Sequence, residues 1–92
     1  MNGKVSRATV KQFNEQLKGS KIRDVGSVAG VSAHAVQRAL ERDISIAIIK
    51  DVLANYNISY PGTSANGTIH YVLGKYSVIV GADDMVIATV IG

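Results

Sequence analysis

The residues best suited to chemistry are concentrated in one short stretch, Ser32 to Ile44, which contains His34, Arg38, Glu41 and Arg42. No Gly or Pro interrupts it, and its composition favours a helix. Ser32 is positioned as an N-cap, where its hydroxyl can accept from an otherwise unpaired first-turn amide. At roughly 100° per residue, His34, Arg38 and Glu41 share one side of this helix, with Arg42 at its edge, while Ala33, Val36 and Leu40 fall on the other. An imidazole exchanges protons near neutral pH, and guanidiniums bind phosphate oxygens in bidentate fashion. Together they suit phosphodiester chemistry. Taken alone, the same stretch also reads as an ordinary solvated helix face with a spare histidine, which is the simpler of the two readings.

The rest of the chain must position that face. Its 92 residues make one domain, which buries roughly 60–65% of its unfolded surface. An apolar share of 47% supplies a core, and a charged share of 18% is too low for a disordered chain. The absence of cysteine excludes disulfides and thiolate metal sites. No apolar run approaches the roughly 18 residues of a membrane span, and no signal-peptide pattern is visible.

Charge is unevenly distributed. Residues 1–42 hold eight Lys or Arg against three acids, whereas residues 43–92 hold two against four. A basic half on a small domain points to a polyanionic partner. Residues 5 to 18 read as a helix with Val10, Phe13 and Leu17 as its apolar stripe. Lys4, Arg7, Lys11 and Lys18 gather on another side and could track a phosphate backbone, although a solvated face fits the pattern equally well. Residues 19 to 31 read as a loop with one short extended piece and lack any phosphate-loop glycine spacing. Ser45 is placed to cap a third helix over roughly 46 to 56, with Ile46, Ile49, Val52, Leu53 and Tyr56 on one arc.

From Ile58 onward the hydrophobic period changes to two. Pro61-Gly62 and Asn66-Gly67 are turn signals. Thr68 to Leu73 and Tyr76 to Val80 read as strands joined by a Gly74-Lys75 turn, followed by a Gly81–Asp84 turn and a third strand from Met85 to Ile91. Alternation puts Thr68, His70 and Val72 on one face of their strand. It groups Met85, Ile87, Thr89 and Ile91, with Thr89 the polar exception. Helices first and an antiparallel meander last predict an α+β fold. The only histidines, His34 and His70, have no metal-ligand spacing, so neither a metal nor another cofactor is expected.

The run from His34 through Arg38 and Arg42, then a core helix, then strands ending Tyr76-Ser-Val-Ile-Val and Met85-Val-Ile-Ala-Thr89-Val-Ile, resembles the small C-terminal toxin domains of the barnase–EndoU–colicin–RelE superfamily. These are found in polymorphic and contact-dependent growth inhibition toxins. The resemblance spans roughly residues 31–92 and rests on a short motif, His-x-x-x-Arg plus a late strand Thr. It implies N-terminal helices packed on an antiparallel sheet, and metal-independent ribonuclease activity, with tRNA a common target. It also implies a secreted effector domain delivered to the target-cell cytoplasm, and a cognate immunity protein as partner. His34, Arg38 and Thr89 would lie in the active site, with Arg42 beside them. No second histidine stands near the first, which leaves His70, Tyr71 and Tyr76 as alternatives for the second proton-transfer group. Two other functions fit the residues: a non-catalytic RNA- or ribosome-binding module, and a protein-interaction domain whose His/Arg face pairs with an acidic partner.

Overall fold

Three helices precede a C-terminal sheet, and the structure, a computed structural model, describes residues 5–63 and 67–92. Helix α1 (Arg7–Leu17) begins where the Ser6 hydroxyl accepts from the Thr9 amide at 3.2 Å, and it buries Phe13 and Leu17. Helix α2 (Ala33–Glu41) is capped in the same way by Ser32, and α3 (Ile46–Asn55) by Ser45. The arc expected on α3 is present: Ile49, Val52 and Leu53 are buried, while Ile46 and Tyr56 pack against the core from its margin.

The segment between α1 and α2 holds more strand than its sequence suggested. β1 (Lys21–Ile22) and β2 (Gly26–Ser27) form a small hairpin, and β3 (Gly30–Val31) joins the main sheet. Two-residue strands leave almost no periodic signal, so tertiary pairing alone identifies them. The hairpin is fastened to the end of α3: Arg23 Nη2 donates to the Tyr56 carbonyl, the Tyr56 hydroxyl donates to the Arg23 carbonyl, both at 2.8 Å, and the guanidinium lies over the Tyr56 ring.

The five-stranded sheet runs β3-β7-β6-β5-β4, with β4 (Ile58–Pro61), β5 (Thr68–Leu73), β6 (Tyr76–Gly81) and β7 (Val86–Ile91). All neighbours are antiparallel except β3 and β7, which are parallel. The meander is therefore extended at both edges, by β4 and by β3. All four residues of β4 are exposed, and it ends in Pro61, which an edge strand tolerates because no ladder N–H is needed there. The outer side of β3 is closed by one side chain. Asn14 of α1 accepts from the Val31 amide at 2.9 Å and donates to the Val31 carbonyl at 3.1 Å, so both groups are paired without a further strand.

Two expectations about faces are corrected. Ala33 and Leu40 of α2 are exposed, Leu40 at 52%, and the buried residues are Ala35, Val36 and Ala39. Their small side chains let α2 pack closely on β7, whereas the apolar stripe read from Leu40 pointed one arc away. On β7, Ile87 does not share a face with Thr89. Val80 pairs with Ile87 and Ile79 with Thr89, so Ala88 is an extra residue in a bulge. The bulge resets the alternation, sending Ile87 and Val90 to the core and Thr89 to the opposite face.

The Ser32 hydroxyl joins the two elements at this point. It accepts from the Ala35 amide at 3.0 Å and donates to the Ala88 carbonyl at 2.9 Å. Ser32→Ala should lower stability by about 1–2 kcal/mol, through loss of a cap and of a half-buried tie. Ser6→Ala should cost less, since the Ser6 hydroxyl bonds only within its own first turn. Chemical denaturation of the two variants checks the order.

Candidate active site

His34 and Arg38 are one turn apart on α2, and His34 is fully on the solvent side while Arg38 is half-buried. The expected opposition between the charged face and the core holds for both, although the core side is centred on Ala35 and Ala39. Arg38 Nη1 donates to Glu41 Oε1 at 3.1 Å, and Gln37 Nε2 donates to the other carboxylate oxygen at 3.1 Å. The Gln37 hydrogen bond, with help from the charges of Arg38 and Arg42, holds the Glu41 carboxyl below its ordinary value. Glu41 therefore stays ionised through neutral pH and keeps Arg38 oriented along the helix surface. Arg42 is exposed at the C-cap.

α2 ends without glycine. Asp43 takes a positive φ of 56°, its amide donates to the Leu40 carbonyl, and the Ile44 amide donates to the Ala39 carbonyl at 2.8 Å. This is a Schellman closure with aspartate in the left-handed position. It turns the chain so that Ile44 enters the core.

Thr89 is half-buried on β7, the strand against which α2 packs. It lies on the sheet face turned away from the core cluster, whereas Ala35, Val36 and Ala39 of α2 belong to that cluster. Thr89 and the body of α2 are thus on opposite sides of the sheet, joined through the Ser32 tie to β7. The pairing register places Thr89 in a row across four strands, Tyr60–His70–Ile79–Thr89. Ile79 separates His70 from Thr89, so the two are two strand spacings apart, roughly 10 Å. Tyr76 lies on the other face, packed against the core, with the Lys75 ammonium 5.2 Å from its ring centre. Tyr71 is buried in the core, and burial together with neighbouring Tyr56 raises its phenol above the ordinary value. Of the three alternatives for a second proton-transfer group, only His70 shares a face with Thr89.

Of the basic stripe on α1, Arg7, Lys11 and Lys18 are exposed, with Lys18 at the C-cap; Lys4 lies outside the described residues. α1 packs on β3, α2 and α3. Among the described residues no group of three or more His, Cys, Asp or Glu is placed to hold a metal ion, and no helix is long and apolar enough to cross a membrane.

Sequence reasoning did not single out Tyr60, whose ring stacks on the His70 imidazole with centroids 4.8 Å apart and planes 21° apart. The missing signal was β4 itself, an exposed strand without alternation. Comparison with known protein families, curated proteins and solved structures returns no match.

Gln37→Ala should move the Glu41 titration midpoint up toward the ordinary carboxylate range, because the first of the bonds that favour the charged form is removed. An NMR titration of the Glu41 side chain in both proteins checks this. In the wild type, the Arg38–Glu41 ion pair should persist at neutral pH and break only as pH falls through the lowered midpoint.

Proposed function

We propose that this chain is a metal-independent endoribonuclease domain, acting on RNA, with tRNA as the leading substrate. The observation that carries the reading is the placement of His34 and Arg38. They are accessible together on a helix that Ser32 ties to the strand bearing Thr89. In the proposed reaction a base removes the proton of an RNA 2′-hydroxyl. The 2′-oxygen bonds to the adjacent phosphorus, and the bond from phosphorus to the 5′-oxygen breaks. That oxygen leaves with a proton, giving a 2′,3′-cyclic phosphate and a 5′-hydroxyl. His34 acts as general base or acid. Arg38, assisted by Arg42, stabilises negative charge on the phosphorane oxygens. To do so, Arg38 exchanges its bond to Glu41 for a phosphate, a small cost for an exposed pair on a helix. Thr89, on the outer sheet face, hydrogen-bonds a phosphate oxygen of the bound strand. Arg7, Lys11 and Lys18 hold RNA outside the reacting centre. His70 stands on the sheet face away from α2 and does not share a phosphate with His34, so in this reading water supplies the proton to the leaving 5′-oxygen.

A second reading has its own support. Ile79 stands between His70 and Thr89, and Tyr76 lies on the other face. A non-catalytic RNA-binding module would need no second proton-transfer group at all. The proposed partner under the nuclease reading is an acidic immunity protein that covers the His34/Arg38 face, since opposite charge masks an RNA-attracting surface and speeds encounter. The proposed setting is a secreted effector domain that acts in the cytoplasm of a target cell.

His34→Ala should abolish cleavage of total cellular RNA with the fold intact, because the side chain is exposed. New 5′-hydroxyl ends from the wild type, absent with the variant and unaffected by EDTA, are the expected result. Wild-type levels of cleavage by the folded variant would refute the role of His34, and absence of cleavage by the wild type would favour the binding module.

Replacing Arg7 and Lys11 together should reduce the slope of log affinity against log salt by roughly one unit for each phosphate these cations neutralise. Titrations of a labelled RNA at several salt concentrations measure it, and an unchanged slope would mark the stripe as a solvated face.

A further inference from the structure

We propose that the open β4 edge of the sheet pairs with the β4 edge of a second copy of this chain, antiparallel and two-fold through Ser59. The inference stands apart from the RNA reading above. It starts from a contrast between the two edges of the sheet, β3 and β4. The β3 edge is closed. Asn14 satisfies both backbone groups of Val31, and a Cβ added to Gly30 would lie 2.7 Å from its Oδ1. The β4 edge is open. All four of its residues are exposed, and among the described residues no side chain hydrogen-bonds its backbone. An open edge is a template for another strand, and charge is a common device against such pairing. Asn57 to Gly62 contains no Asp, Glu, Lys or Arg.

The backbone pattern of β4 selects the pairing. The Gly62 amide donates to the Thr68 carbonyl and the Asn57 amide to the Val72 carbonyl, both at 2.8 Å, so these two point inward to β5. In an antiparallel ladder inward and outward groups alternate. Ile58 and Tyr60 therefore bond to β5, while Ser59 and Pro61 face outward. Proline has no N–H, which leaves the Ser59 amide as the one outward donor of the strand. A two-fold axis at Ser59 lets each copy donate this amide to the Ser59 carbonyl of the other. A register shifted by two residues would set Ser59 against Pro61 and leave the Ser59 carbonyl unpaired inside the seam. Pairing through Ser59 leaves only the Pro61 carbonyls, at the ends of the seam, to water.

The side chains fit the same axis. Ile58 is 59% exposed and Tyr60 45%, and the two share one face of the strand. The two-fold sets Ile58 of each copy opposite Tyr60 of the other. Two aromatic–β-branched cross-strand pairs result, a favourable combination in sheets, and each covers apolar surface that a single copy leaves to solvent. A second copy thus supplies the matching side chains as well as the matching hydrogen bonds. Four residues a side bury far less than the roughly 800 Å² per partner of a standard interface, so the dimer is weak and concentration-dependent. The axis is perpendicular to the sheet, and the helices of both copies lie on one side of it. α2 packs on β7, away from the seam, so the His34/Arg38 face stays free in each copy.

Sedimentation equilibrium of the whole chain should show a monomer–dimer equilibrium that moves with concentration. Ile58→Lys should weaken it about ten-fold, because one change removes both cross-strand pairs. The chain has no cysteine, so Ser59→Cys introduces a single thiol. Across a reciprocally bonded antiparallel pair the Cα atoms are roughly 5.5 Å apart, which a disulfide spans. Under mild oxidation Ser59→Cys should form a cross-linked dimer much faster than Ser27→Cys, whose site is exposed on the β1–β2 hairpin. In the wild type, the Ser59 amide should exchange with solvent more slowly as protein concentration rises.

A chain that stays monomeric into the millimolar range would overturn the edge dimer. So would a dimer indifferent to Ile58→Lys, cross-linking of Ser59→Cys no faster than of Ser27→Cys, or concentration-independent exchange at Ser59. Should Ile58→Lys fail to fold, the cross-linking and the wild-type exchange decide the matter. Neither RNA binding nor cleavage enters the test, so the edge dimer and the RNA reading fail separately.

Discussion

The arrangement depends on how one hydroxyl is shared. Ser32 Oγ accepts the first-turn amide of α2 and donates to the carbonyl of the bulge residue Ala88. The Ser32 amide also donates to the Ile87 carbonyl at 2.9 Å. The start of α2 is thereby attached to β7 through two adjacent carbonyls, and helix and strand cannot shift independently. Ala35, Val36 and Ala39 then complete the junction by burial. The two alanines allow close approach and the valine fills the remaining space, so the opposite side, with His34, is left to solvent.

The bulge has a second consequence. An unbroken β7 would keep Ile87 and Thr89 on one face, and one of them would suffer: a buried hydroxyl or an exposed isoleucine. With Ala88 as an extra residue, Ile87 and Val90 both reach the core, and Thr89 joins the outer face. β3 supports this edge from outside. It is only two residues long, and its outer backbone groups would be unpaired without the Asn14 amide. Leaving such groups buried and unpaired costs more than the net worth of a normal hydrogen bond. Asn14 thus lets a short parallel strand end the sheet and deliver the chain to Ser32.

The charged groups divide between elements. Guanidiniums and the exposed imidazole are carried on α2 and further cations on α1, while the outer sheet face bears the Tyr60–His70 stack and, over Gly81, the Asp84 carboxylate. Glu41 moderates the field of α2. Its carboxyl, held in the charged form by Gln37 and Arg38, gives Arg38 a defined resting geometry. The interaction is exposed and readily exchanged, so it orients the guanidinium without sequestering it.

Much of this was legible in the sequence. The capping serines of α2 and α3, the helical period of α1 and α3 and the strand pairs around Gly74 follow from local chemistry, and so the α+β order was readable. The exposure of His34 was also readable, since it lies opposite Val36 on any helical wheel. What the sequence could not decide required partners distant in the chain. Alanines carry little hydrophobic signal, so only packing on β7 chose Ala35 and Ala39 over Leu40 for the core. A bulge leaves no trace in an apolar run such as Val86 to Ile91, because every register there looks hydrophobic; pairing with β6 placed it at Ala88 and moved Thr89 to the other face. β3 and β4 are too short or too exposed to show a period, and they exist because β7 and β5 offer them edges. The alignment of Tyr60 with His70 came only with that last pairing, since strand register is set by the partner and not by either strand alone.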